Sequence, residues 1–206
     1  LGVNHKIVSA LSSLDITHPT FIQSATIPKL LVDDTDFVGQ AATGTGKTYA
    51  FCIPLLHRIE GGVKDPQALI LVPTRELGHQ VADAVKGLAD AVEKVTVCSA
   101  IGGSSLKESI KELKKPTDIL VATPGRLLDL LERGALSLSN LKYLVLDEAD
   151  EMLNQGFEED LTRIKERISE TVITWLFSAT ISSDVGKLVK DALKKGYQEV
   201  ITTKKD

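Results

Sequence analysis

The residues Ala41-Ala42-Thr43-Gly44-Thr45-Gly46-Lys47-Thr48 combine small, hydroxylic and cationic side chains at the spacing of a phosphate-cradling loop. Such a loop needs backbone amides close to phosphate oxygens, and Gly44 and Gly46 allow that approach where a Cβ would clash. Lys47 would place a point charge on the β- and γ-phosphates, and the Thr48 hydroxyl would ligate Mg²⁺. Thr43 and Thr45 complete the cradle, while Ala41 stands where the first glycine of such loops usually falls. A glycine turn before a helix with an incidental lysine is the plain alternative.

A second cluster, Asp147-Glu148-Ala149-Asp150, ends an apolar run. A carboxylate at a buried strand end facing the loop could bind the Mg²⁺ shell, and the neighbouring acid could orient or deprotonate a water. The same four residues also read as the acidic first turn of a helix, favoured by its dipole. The pairing with the glycine loop, in this chain order, favours the catalytic reading.

Positioning these groups requires strands and helices in alternation. Short, almost continuously apolar runs occur at 36–40, 68–72, 95–98, 118–122, 143–146 and 174–177. They read as strands buried on both faces of a parallel sheet. Helical periods lie between them, for example over Tyr49 to Ile59, Glu76 to Ala89 and Phe157 to Ile168. The expected fold is a doubly wound α/β domain with a mostly parallel sheet and helices on both faces. Polar, turn-forming residues follow five of the runs, at the edge where open parallel sheets bind ligands.

The 206 residues suit one large domain, and 43% hydrophobic with 25% charged is ordinary globular composition. No apolar run approaches a membrane span, and no signal peptide is evident. Leu1 in place of Met suggests a piece of something longer. Cys52 and Cys98 lack metal-ligand spacing and read as buried free thiols in a reducing compartment, with the cytoplasm as expected location. The net charge of −4 does not by itself suggest a nucleic-acid binder. Positive charge is local: Lys107, Lys111, Lys114 and Lys115, then six lysines between Lys187 and Lys205, both read as solvated helix faces.

Seven motifs in order then carry a resemblance: Ile22-Gln23 within His18 to Gln23, the glycine loop, Pro73-Thr74-Arg75-Glu76-Leu77, Gly102-Gly103, Thr123-Pro124-Gly125-Arg126, Asp147 to Asp150, and Ser178-Ala179-Thr180. Over essentially its whole length the chain resembles the DEAD-box RNA helicases of superfamily 2. The resemblance implies a RecA-like ATP-binding domain over 36–206 and an adenine-reading helical segment over 1–35. It also implies ATP and Mg²⁺ as cofactors and RNA, held by its backbone, as partner. Lys47, Asp147 and Glu148 take the catalytic roles. Gln23 takes the adenine edge, although Thr20-x-x-Gln23 is equally a capping box. Pro73, Thr74, Arg75, Gly102, Gly103, Thr123, Pro124, Gly125 and Arg126 take the RNA backbone. Helix caps and plain turns are their bland readings. Asp150, Ser178 and Thr180 link ATP state to RNA, the serine–threonine pair being otherwise a turn after a strand.

Departures from the family pattern matter too. The adenine-stacking aromatic residue would precede Leu1, and Asp15-Ile16 replaces an expected Gly-Phe. No second RecA-like domain with its arginine motifs is present, so the chain, expected to be monomeric, should bind nucleotide weakly and hydrolyse ATP hardly at all. Two other readings stand beside this one: a translocating superfamily 2 helicase, and an ATP-gated RNA clamp that rarely turns over.

Overall fold

A computed structural model describes residues 1–92, 95–103 and 105–202. Among the described residues seven strands form one sheet in the order β3-β4-β2-β5-β6-β1-β7. They are β1 (Phe37–Gln40), β2 (Ala68–Leu71), β3 (Val97–Ala100), β4 (Ile119–Ala122), β5 (Tyr143–Leu146), β6 (Ile173–Ser178) and β7 (Gln198–Ile201). Every pairing is parallel. The doubly wound α/β architecture read from the sequence is therefore the fold.

The apolar runs explain themselves in the packing. Successive strand residues alternate between two cores: Ala68 and Ile70 face one, Leu69 and Leu71 the other. Ile119, Val121, Tyr143 and Val145 likewise face the first, and Leu120, Ala122, Leu144 and Leu146 the second. A strand buried on both faces needs apolar residues at both parities, which is why no polar alternation appears.

The first core is covered by α1 (His5–Ser13), α2 (Phe21–Val32), α3 (Lys47–Arg58) and α4 (Arg75–Ala89). The second lies under α6 (Pro124–Glu132), α7 (Ala149–Asn154), α8 (Glu158–Lys165) and α9 (Ser183–Ala192), with α5 (Leu106–Glu112) packed at its margin. Ile7, Ile22, Ile27 and Leu30 are buried in the same core as α3, so the first 35 residues pack onto the sheet layer.

Three expectations need correction. The tail expected as a lysine-bearing helix face contains strand β7, which one buried residue, Val200, among polar neighbours leaves without an apolar run. Of that tail, Lys187 and Lys190 lie on α9, Lys194 and Lys195 lie between α9 and β7, and Lys204 and Lys205 lie outside the described residues. On the other basic stretch, Lys107 and Lys111 are exposed on α5, and Lys114 and Lys115 follow it. β3 starts two residues later than its apolar run. Cys52 is buried as expected, but Cys98, on the edge strand β3, is only partly buried.

Candidate nucleotide and nucleic-acid site

The connection from β1 to α3 turns through Gly44 at φ 82° and Gly46 at φ 89°, a left-handed geometry that favours glycine. Gly46 is constrained twice, since a Cβ there would lie 2.4 Å from Gln23 Nε2. That amide instead donates to the Gly46 carbonyl at 3.0 Å. Gln23 Oε1 accepts from the Thr20 amide at 3.0 Å. The cap reading of Gln23 therefore holds, and the same side chain also ties α2 to the glycine loop. Beside Gln23 a cavity of about 270 Å³ opens between α1, α2 and α3, lined in part by Val3, Thr17, Pro19 and Tyr49.

The loop itself is open: Thr43 and Gly44 are exposed, and Thr45, Gly46 and Thr48 partly so. Thr45 Oγ1 donates to the Ala42 carbonyl at 2.7 Å, bracing the turn. The first turn of α3 leaves N–H groups without intrahelical acceptors at this opening, a ready anion site. Lys47 is buried, and its Nζ donates to the Ala41 carbonyl at 2.8 Å.

Asp147, at the end of β5, is 2% exposed, and its Oδ1 has no hydrogen-bond partner among the described residues. Burial pushes its carboxyl up to about 7; the Lys47 ammonium opposes that rise, and Glu148 and Asp150 add to it. The buried Lys47 ammonium and the buried Asp147 carboxyl are thus within electrostatic reach of each other. Glu148 follows at φ 54°, ψ 53°, left-handed backbone that costs a non-glycine residue about 1–2 kcal/mol. Strain of this kind gathers at functional sites.

β6 lies between β1 and β5, which brings its terminal Ser178 to the acids. The Asp150 amide donates to Ser178 Oγ at 3.3 Å. Asp150 Oδ2 accepts from the Thr180 amide at 2.9 Å and from its hydroxyl at 2.8 Å. Burial alone would raise the Asp150 carboxyl, but bonds from Thr180 and Ser178 outweigh it and hold the group below its usual value.

A shallow depression of about 420 Å³ collects Pro73, Thr74, Arg75, Gly102, Thr123, Gly125 and Arg126, with Asp129, Gln155 and Phe157. Gly103 and Pro124 adjoin these residues in the chain. Thr74 caps α4 by accepting from the Leu77 amide at 3.2 Å, and Thr123-Pro124 opens α6. The glycine pair does more than turn the chain. A Cβ on Gly102 would lie 2.8 Å from Arg75 Nε, and one on Gly103 3.0 Å from its Nη1. Arg126 Nη1 donates to the hydroxyl of buried Ser109 on α5, at 2.9 Å. Ser109, Tyr49, Gln155 and Phe157 escaped the sequence reading because none belongs to a motif; only the folded chain brings them to these surfaces.

The sequence model of the DEAD/DEAH box helicase family matches residues 20–188. The chain is 44% identical over 210 residues to the ATP-dependent RNA helicase DeaD of Buchnera aphidicola subsp. Schizaphis graminum, covering all of this chain and 35% of that protein. It is 42% identical to the DeaD helicase of Escherichia coli strain K12, again across this whole chain and 33% of the relative. Its fold matches the crystal structure of a DEAD box protein from the hyperthermophile Methanococcus jannaschii with a TM-score of 0.88 at 38% identity, over 97% of this chain and 54% of that one. The chain thus spans about a third of the length of these curated relatives. With a family match over most of its length and the family's fold around its ordered motifs, the chain belongs to the DEAD/DEAH box helicase family.

Proposed function

We propose that this chain is the first, ATP-binding domain of an ATP-dependent RNA helicase. The observation that carries this reading is a pair of buried charged groups: Asp147, its Oδ1 without a hydrogen-bond partner among the described residues, and Lys47, which opens α3 after the glycine loop and acts electrostatically on it. The donor set suits a magnesium ion. Among the described residues no three His, Cys, Asp or Glu side chains could hold a metal alone. Magnesium with a nucleotide uses only one or two protein ligands besides phosphate oxygens. Thr48 and Asp147 would supply them, and the bound ion would neutralise charge on the phosphates.

In this reading the amides of Thr43 to Gly46 and the start of α3 hold the triphosphate, Lys47 releases Ala41 to reach it, and Glu148 orients the attacking water. Gln23 and the segment 1–35 read the adenine from the neighbouring cavity. Thr74, Arg75, the Gly102–Gly103 pair, the α6 N-terminus and Arg126 grip RNA through its phosphates, which carry no sequence information. Asp150, Ser178 and Thr180 form the link between the two ligands. A second RecA-like domain of the longer protein would close over both, supply the arginines missing here and bend a short RNA duplex apart. Among the described residues no helix is long and apolar enough to cross a membrane.

The test compares this chain with a version extended through the second domain. The extended protein should show RNA-stimulated ATP hydrolysis and unwinding of short blunt RNA duplexes. The 206-residue chain should bind ATP weakly and turn over at least 10³-fold more slowly, the scale of a missing arginine finger. Equal RNA-stimulated rates in the two proteins would refute the division of labour, and absence of ATP binding in both would refute the whole reading.

A further inference from the structure

On the second-core side of the sheet, α8 packs against α6 while α9 packs against α7. Between α8 and α9 a cleft of about 210 Å³ reaches down to Leu71, Leu144 and Leu146 of the sheet. Leu161 and Ile164 form one wall, and Leu188 with Ala192 the other. The cleft shares no residue with the glycine loop, the acids 147–150 or the depression around Arg126.

Its rim is acidic. Glu158, Glu166, Asp184 and Asp191 line it, against Lys165 alone. Asp184 pairs with Lys187 at 2.9 Å. Glu158, Glu166 and Asp191 form no ion pair among the described residues. All four carboxylates are exposed, while the leucines of the floor are buried.

We propose that the α8–α9 cleft docks a basic, amphipathic segment of a protein partner, one apolar side chain seated on the leucine floor and flanking Lys or Arg on the rim carboxylates. The volume accepts an anchor of Leu or Phe size. A pocketed anchor ringed by polar contacts is the usual arrangement of an interface hot spot, and an apolar helix face laid in a groove is a recurring docking mode. The rim charge selects the occupant: carboxylates repel nucleic-acid phosphates and anionic lipid, and attract cationic flanks. Such charges chiefly set specificity and association rate. The partner would bind while the nucleotide edge of the sheet stays free.

A random-peptide phage library selected on the 206-residue chain tests this, with counter-selection on Ala192→Trp, which fills the cleft. The selected peptides should share an aliphatic or aromatic anchor flanked by Lys or Arg. Their affinity, measured by fluorescence anisotropy, should fall at least tenfold on Ala192→Trp and several-fold on Glu158→Lys or Asp191→Lys. Should Ala192→Trp fail to fold by circular dichroism, Leu188→Glu at the lip of the cleft replaces it, with the same loss expected. Failure to enrich any peptide dependent on an open cleft overturns the proposal. So does an acidic consensus, or an uncharged apolar one indifferent to the rim variants, which would mark a small-molecule cavity instead.

Discussion

The side-chain amide of Gln23 donates to the carbonyl of Gly46 at 3.0 Å, so the residue that completes the capping box of α2 also holds the turn of the glycine loop. One substitution therefore acts on both. Gln23→Ala removes that bond and the one from Thr20. It should cost about 1–2 kcal/mol of stability, or a few degrees of melting temperature. ATP affinity, read by titration with a fluorescent analogue, should fall by about tenfold or more. A lowered melting point with unchanged affinity would leave Gln23 as a cap alone.

Asp147 makes the nucleotide-free chain pH-dependent. Its carboxyl is raised from 3.8 to about 7, chiefly by burial. The folded chain thus keeps a proton that the unfolded chain loses above about pH 4. The resulting stability is complete below 3.8 and is lost as pH rises through 7. Asp147→Asn keeps the neutral form at every pH. At pH 8 it should stabilise the nucleotide-free chain by roughly 2–4 kcal/mol, the gain vanishing towards pH 4. Thermal melts across that range measure it, and a gain independent of pH would exclude titration of Asp147 as the cause.

Glu148 combines left-handed backbone with the proposed water-orienting role. Glu148→Gly should relieve about 1 kcal/mol of strain and raise the melting temperature by a few degrees. In the two-domain protein, both Glu148→Gly and Glu148→Gln should lower ATP turnover at least 10²-fold while ATP still binds. Single-turnover hydrolysis separates the effects. A destabilised Glu148→Gly variant would show that its contacts outweigh the strain.

Arg126 rests on Ser109. Arg126→Ala should weaken RNA binding about equally for unrelated sequences and reduce the salt dependence by about one charge. Ser109→Ala, which keeps the guanidinium but loosens it, should weaken binding by roughly two- to fivefold. Filter binding over a salt series tests both. Loss confined to one RNA sequence would contradict recognition through the backbone.

Asp118 is fully buried before β4 and accepts from the amides of Gly62, Val63 and Thr96 and from the Thr96 hydroxyl. Asp118→Asn turns one acceptor into a donor facing other donors. The expected loss is roughly 2–4 kcal/mol, or about 5–15 °C in the melting temperature. A melt within 2 °C of the parent would show that solvent replaces these bonds.

The candidate site residues were legible because their motifs are local. A glycine loop between a strand and a helix, or an acidic pair ending an apolar run, declares itself within eight residues. The strand runs were equally plain, since double-faced burial demands apolar residues at both parities. β7 was hidden because an edge strand with one buried side chain carries no such pattern. Contacts between distant segments were out of reach for a different reason. The sequence by itself settled which residues form the loop, the acids and the fold class. Only the tertiary structure decided that Gln23 braces Gly46, that Ser109 holds Arg126, and that Thr180 reaches Asp150. Those pairs lie 23, 17 and 30 residues apart in the chain and meet only once the sheet has ordered its strands.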